Sequence, residues 1–173
     1  AAGMAKQGMT PVFAVYSTFL QRSYDMLIHD VAIQGLHVVL CVDRAGLVGE
    51  DGETHHGLFD AAFLDTVPGM TVLCPASFAE LRAMLRRAVY EIPGPVAVRY
   101  PRGGEGTLFT GESGSAGSCV LHPGGDISLV SYGVLVNQVL RCAQLLEEDG
   151  IQAEIIKLNC ITPLDMEEVA RSE

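Results

Sequence analysis

The sequence predicts an α/β protein: a mainly parallel sheet with helices on both faces, followed by the start of a second α/β domain. Three observations carry this expectation. Short β-branched apolar runs recur at 11–16 (PVFAVY), 38–42 (VVLCV), 70–74 (MTVLC) and 95–100 (PVAVRY). Such runs have the composition of strands buried on both faces. The stretches between them place apolar residues at the helical period, and strands alternating with helices imply a parallel sheet.

The elements follow in order. Ala1 to Gly8 reads as the last turns of a helix closing on a glycine stop. After the strand 11–16, Ser17 and Thr18 can cap a helix whose stripe is Leu20, Tyr24, Leu27, Ile28 and Val31, ending near Gly35. The strand 38–42 gives way to a loop with Gly46, Gly49 and Gly52, then to a short helix from Asp60 to Val67 and a Pro68-Gly69 turn. After the strand 70–74, Ser77-Phe78-Ala79-Glu80 is a capping box. It opens a helix with Phe78, Leu81, Leu85, Ala88 and Val89 inward.

The strand 95–100 closes the first unit, residues 1–103. Residues 104–117 are Gly/Ser/Glu-rich and read as a linker. Residues 118–173 restart the pattern with a strand from Asp126 to Tyr132, a helix from about Val134 to Glu148, a Gly150 stop and a strand from Ala153 to Leu158. The chain starts without methionine and ends inside a helical pattern, so it reads as an internal fragment of something longer.

Composition narrows the function classes. Of the 173 residues, 49% are hydrophobic and 18% charged, as in a well-packed globular chain. A formal charge of −10 argues against nucleic acid as a partner. The five cysteines lack C-x-x-C spacing and read as reduced residues of a cytosolic protein. No apolar run approaches the length of a membrane span.

Polar and aromatic groups gather at three strand ends: Tyr16 with Phe19 and Arg22, Asp43 through His56, and Arg99 with Arg102. In an open parallel sheet ligands collect beyond the carboxyl ends of the strands, so these sets can converge. Arg44 can equally pair with Asp43 or Asp51 at the surface, and Tyr16 and Phe19 can be core aromatics. His55-His56 does not have the spacing of a metal site. There is no G-x-G-x-x-G, Walker loop or G-x-S-x-G. The residues alone describe a cationic, histidine-bearing site suited to a small anionic ligand.

Three long motifs, YSTFLQR at 16–22, DRAGLVGEDGETHHG at 43–57 and RYPRG at 99–103, together resemble the 1-deoxy-D-xylulose-5-phosphate synthases, a transketolase-like family. The resemblance runs through the whole pyrimidine-binding domain and, more weakly, into a C-terminal domain at Ile161-Thr162-Pro163-Leu164-Asp165. It implies condensation of pyruvate with D-glyceraldehyde 3-phosphate, using thiamine diphosphate and Mg²⁺, in a homodimeric enzyme of the bacterial cytosol or plastid. By that resemblance Phe19 stacks on the aminopyrimidine, with Tyr16 bordering the cofactor and Arg22 supporting the site. Arg44 and Arg102 clamp the acceptor's phosphate. Asp51, His55 and Tyr16 bond the reacting carboxylate and the acceptor's hydroxyls.

The family's cofactor-activating glutamate and its diphosphate- and metal-holding domain have no counterpart in these residues. No metal ligand is therefore named, and the chain alone is expected to be inactive. The alternatives are a non-catalytic α/β anion-binding module and another transketolase-type thiamine enzyme.

Overall fold

The computed structural model describes residues 1–114, 117–165 and 167–171. Part of the expected linker and the last two residues of the expected terminal helix lie outside the described residues. The expected strands of the first unit are β1 (Val12–Tyr16), β2 (Val39–Asp43), β3 (Thr71–Leu73) and β4 (Val96–Arg99). They pair in parallel in the order β1-β2-β4-β3. Tyr16 lies opposite Asp43, and Val42 opposite Arg99. The carboxyl ends of β1, β2 and β4 therefore finish nearly level, and the loops that leave them share one edge.

Helices on both faces explain the unbroken apolar sequence of β2. Leu40 and Val42 pack into one core with Leu20, Leu27, Val31 and Leu64, while Val39 joins Met84 and Ala88 in a second core on the other face. Each such Val, Leu or Met side chain, fully withdrawn from water, is worth about 1.5–3 kcal/mol.

Several local expectations need correction. Ser17 and Thr18 do not cap the helix after β1. Ser17 is already its first residue, and Tyr16 stands at the cap position without a side-chain hydrogen bond. The strand turns directly into the helix, so the Ser17 hydroxyl arrives one residue too late to reach the free amides. The stretch 17–32 then passes through α, 3₁₀, α and π geometry without a break.

At helix Phe78–Tyr90, Ser77 Oγ accepts from Glu80 N as expected. The Glu80 carboxylate, however, accepts from Ala76 N at 2.8 Å. Phe78, expected inward, is 54% exposed on the side of the turn away from the buried Glu80, and Met84 is buried on the inner face.

The second unit holds β5 (Ser118–His122), β6 (Ile127–Tyr132), β7 (Ala153–Leu158) and β8 (Cys160–Thr162). β6 and β7 are parallel and β5 adds antiparallel to β7, giving the order β5-β7-β6. Helix Val136–Glu148 packs on this sheet through Val139, Leu140 and Ala143. β8 does not stay with its own sheet. It crosses to the first one and pairs antiparallel with β3.

The segment after Gly103 is fastened down rather than loose. Leu108 N and Phe109 N both donate to Asn137 Oδ1 at 3.0 Å. Ser77 Oγ donates to the Gly111 carbonyl at 2.6 Å. Ser113 Oγ donates to Glu80 Oε1 at 2.6 Å, and the fully buried Lys157 Nζ reaches the same oxygen at 3.0 Å. One carboxylate thus joins the first unit, the connecting segment and the second unit.

Candidate functional site

Each strand end delivers one part of the site. β1 ends on Tyr16 and runs into a helical turn that carries Phe19 one turn on. Their rings stack with centroids 5.6 Å apart. His55, brought back by the loop after β2, stands edge-on to Phe19 at 5.4 Å and to Tyr16 at 6.2 Å. Its Nδ1 lies 3.0 Å from Thr54 Oγ1, while Thr18 Oγ1 donates to the Thr54 carbonyl at 3.3 Å. Arg22 is exposed and places its guanidinium 5.7 Å from the Phe19 centroid.

β2 ends on Asp43, and Arg44 follows with a φ of 58°. The left-handed backbone turns the Arg44 side chain over the Tyr16 ring, with Cζ 3.9 Å from its centroid. Asp43 secures this conformation twice. Its Oδ1 accepts from Arg44 N at 2.6 Å and its Oδ2 from Nη1 at 3.0 Å. Arg44 Nε donates to Asp51 Oδ2 at 2.8 Å. Arg102, beyond β4, brings its Nε to the same Asp51 oxygen at 3.3 Å and its Nη2 to Glu50 at 3.5 Å. Partial desolvation pulls the Arg44 pKa down, but the hydrogen bond to Asp51 and the neighbouring Tyr16, Asp43 and Asp51 outweigh it, and the net shift is upward.

Tyr16, Phe19, Arg22, Arg44, Asp51, His55 and Arg102 therefore form one continuous cluster. Beside it lies a cleft of about 350 Å³ lined by Asp43, Arg44, Ser77, Phe78, Arg102 and Glu105 among others. The cluster presents flat aromatic faces at one end and two guanidinium groups at the other. Such an arrangement can in principle receive a planar ring and an anion.

Arg99 takes no part in it. Its guanidinium makes a two-pronged pair with the fully buried Asp60, at 2.7 and 3.1 Å, and lies 5.6 Å from the Tyr132 ring of the second unit. Three further residues support the cluster: His56 and Gly57 fall within the 43–57 motif, whereas Glu105 lies in the stretch that reads as a linker. Glu105 Oε1 accepts from Phe78 N at 3.0 Å, and His56 Nδ1 accepts from Val48 N at 3.2 Å. Gly57 passes so close to Ser17 and the Arg44 carbonyl that a Cβ would lie 2.3–2.5 Å from them.

Residues 1–104 match the family model described as the transketolase pyrimidine binding domain, and residues 118–172 match the transketolase C-terminal domain. The chain is 51% identical over 172 residues to a 1-deoxy-D-xylulose-5-phosphate synthase of Chlorobaculum tepidum, covering 96% of this chain and 27% of that protein. It is 51% identical over 170 residues to the synthase of Chlorobium luteolum, covering 95% and 27%. A solved structure described as a split gene transketolase, an inactive beta4 tetramer, superposes with a TM-score of 0.89 at 28% identity, covering 99% of this chain and 56% of that one. The chain thus spans about a quarter of the length of these curated relatives, 27% in both.

Proposed function

The chain belongs to the transketolase family, and from that premise we propose that it is the corresponding segment of a 1-deoxy-D-xylulose-5-phosphate synthase. The reaction joins pyruvate, with loss of CO₂, to D-glyceraldehyde 3-phosphate. One observation carries the reading: Arg44 and Arg102 meet at Asp51 on the same edge as the stacked Tyr16–Phe19 pair. The 51% identity to named synthases supports it.

The residues present fit part of the implied cofactor. Phe19 is 37% exposed and can offer a ring face to an aminopyrimidine, with Tyr16 and His55 bordering it. Among the described residues no group of three or more His, Cys, Asp or Glu side chains is placed to hold a metal ion. Thiamine diphosphate, when bound, supplies the electron sink for breaking and making the carbon–carbon bond.

This chain's groups orient and hold. Arg44, fixed by Asp43 and by Tyr16, is a preset anchor for a phosphate oxygen. Arg102 is 40% exposed in its side chain and makes only the longer pairs, so it exchanges partners readily. Tyr16, Asp51 and His55 border the anchor and the stacking face, where they can bond a carboxylate and hydroxyls. Arg22 supports Phe19 from the outside. A whole enzyme of this kind is read as a homodimer. The inactive assembly of the similar split-gene chain supports the view that this segment is silent by itself.

The test is steady-state kinetics of the complete synthase. Arg44→Ala and Arg102→Ala are each expected to raise KM for glyceraldehyde 3-phosphate roughly ten- to hundred-fold, the loss of a charged hydrogen bond worth about 1.5–3 kcal/mol. KM for pyruvate should change little. An unchanged KM for the phosphorylated substrate in both variants removes the phosphate role.

A further inference from the structure

The loop that carries Asp51 and His55 is held at its base by a reciprocal pair of backbone hydrogen bonds, Gly46 N to Gly57 O and Gly57 N to Gly46 O, both 2.8 Å. One rung further up, Val48 N finds no carbonyl facing it. His56 Nδ1 accepts its hydrogen at 3.2 Å instead. Between these two anchor points run two 3₁₀ turns, Gly49–Asp51 and Glu53–His55, joined at Gly52 with a φ of 83°. Asp51 and His55 are the last residues of those turns. Val48 itself is 4% exposed, so its N–H has little access to replacement water.

We propose that His56 is the positioning residue of this loop: its imidazole stands in for a strand carbonyl and sets where Asp51 and His55 lie. An accepting Nδ1 carries no hydrogen, so the neutral ring is held with its proton on Nε2. The adjacent histidines therefore divide the work. His55 faces the aromatic pair, and His56 ties the loop shut behind it. The statement of what the loop is for rests on the reading above, whereas the hydrogen bond itself does not.

Asparagine places Oδ1 close to where histidine places Nδ1, so His56→Asn preserves the acceptor while His56→Ala removes it. The experiment uses the whole 173-residue chain. Amide exchange at Val48 is followed by NMR, with the His56 ring nitrogens observed in the wild type and inorganic phosphate titrated into all three proteins. His56→Ala is expected to exchange the Val48 amide roughly five- to tenfold faster and to weaken phosphate binding by a similar factor, in keeping with one lost hydrogen bond. His56→Asn is expected to restore both to within about two-fold.

Equal Val48 exchange in all three proteins, an asparagine variant as disturbed as the alanine one, or a wild-type ring protonated at Nδ1 each overturns the assignment. If the alanine variant does not fold, the asparagine variant and the ring signature still decide. In a fourth protein, Arg44→Ala, phosphate binding that does not change counts against the phosphate site and leaves the exchange result to judge His56 alone.

Discussion

Arg44 is the only non-glycine described residue with positive φ, a conformation that costs on the order of 1–3 kcal/mol unless its surroundings enforce it. Asp43 is the enforcer, through the two bonds to the backbone and guanidinium of Arg44. Asp43→Ala is therefore expected to lower stability by about 1–3 kcal/mol, read by chemical denaturation, because it strips both bonds and leaves the strain. That Arg44 falls in the strand-end cluster was legible from its place after a strand. That its backbone is strained was not, since nothing local distinguishes it from any arginine.

Cys74 and Tyr100 give a second residue-scale expectation. Burial pushes the Cys74 thiol up to about 12, against the smaller opposing pull of Arg99. Burial likewise pushes Tyr100 up to about 12, helped by Cys41 and Asp43. Both groups bind their proton more tightly folded than unfolded. Their contribution is thus complete below the unfolded values, about 9 for the thiol and about 10 for the phenol, and is lost as pH rises toward 12. Urea unfolding is expected to show stability falling across that range, by at most about 1.4 kcal/mol per pH unit for each group. Cys74→Ala should make the fall shallower, and an unchanged slope would contradict the thiol's part in it.

Among the elements, the segment after Gly103 departs furthest from its sequence appearance. Gly, Ser and Glu signal a free linker when each residue is weighed by composition. Their partners, Asn137, Ser77 and Glu80, lie roughly 25–35 positions away, where no local pattern can see them. The capping box was legible, but not the second use of its glutamate. Glu80 also meets Lys157, and both side chains are almost fully buried. Lys157→Met leaves that carboxylate with fewer partners in a dry place and is expected to cost about 3–5 kcal/mol. Adding Glu80→Gln should return part of the loss, because no uncompensated charge then remains. A double variant no better than the single one would show that packing, not charge, dominates there.

At the scale of the whole molecule, the parallel sheet and its two covering layers were readable because apolar runs and helical periods repeat four times. β5 and β8 were not. β5 lies beyond the glycines and serines taken for a linker, and β8 has only three residues. The 173-residue chain is expected to bind thiamine diphosphate more weakly than about millimolar. Stacking on Phe19 yields at most a few kcal/mol before association entropy is subtracted. Calorimetry with the cofactor and Mg²⁺, beside a pyruvate-decarboxylation assay, checks this. Micromolar binding or turnover above the cofactor-only background would show that the segment holds a complete site.

The crossing of β8 into the first sheet has a further consequence, for where this molecule can be cut. The boundary between the two matched families falls after residue 104, yet β3 has its outer side covered only by residues that come after that boundary. A chain stopped at residue 104 would bare a short apolar ribbon of unpaired amides and carbonyls beside Leu73, an adhesive margin that other copies can add to. Such a piece is expected to scatter light and grow in size with concentration, while the chain through Thr162 remains dispersed. The seam visible in the linear text is therefore not a perforation in the folded object.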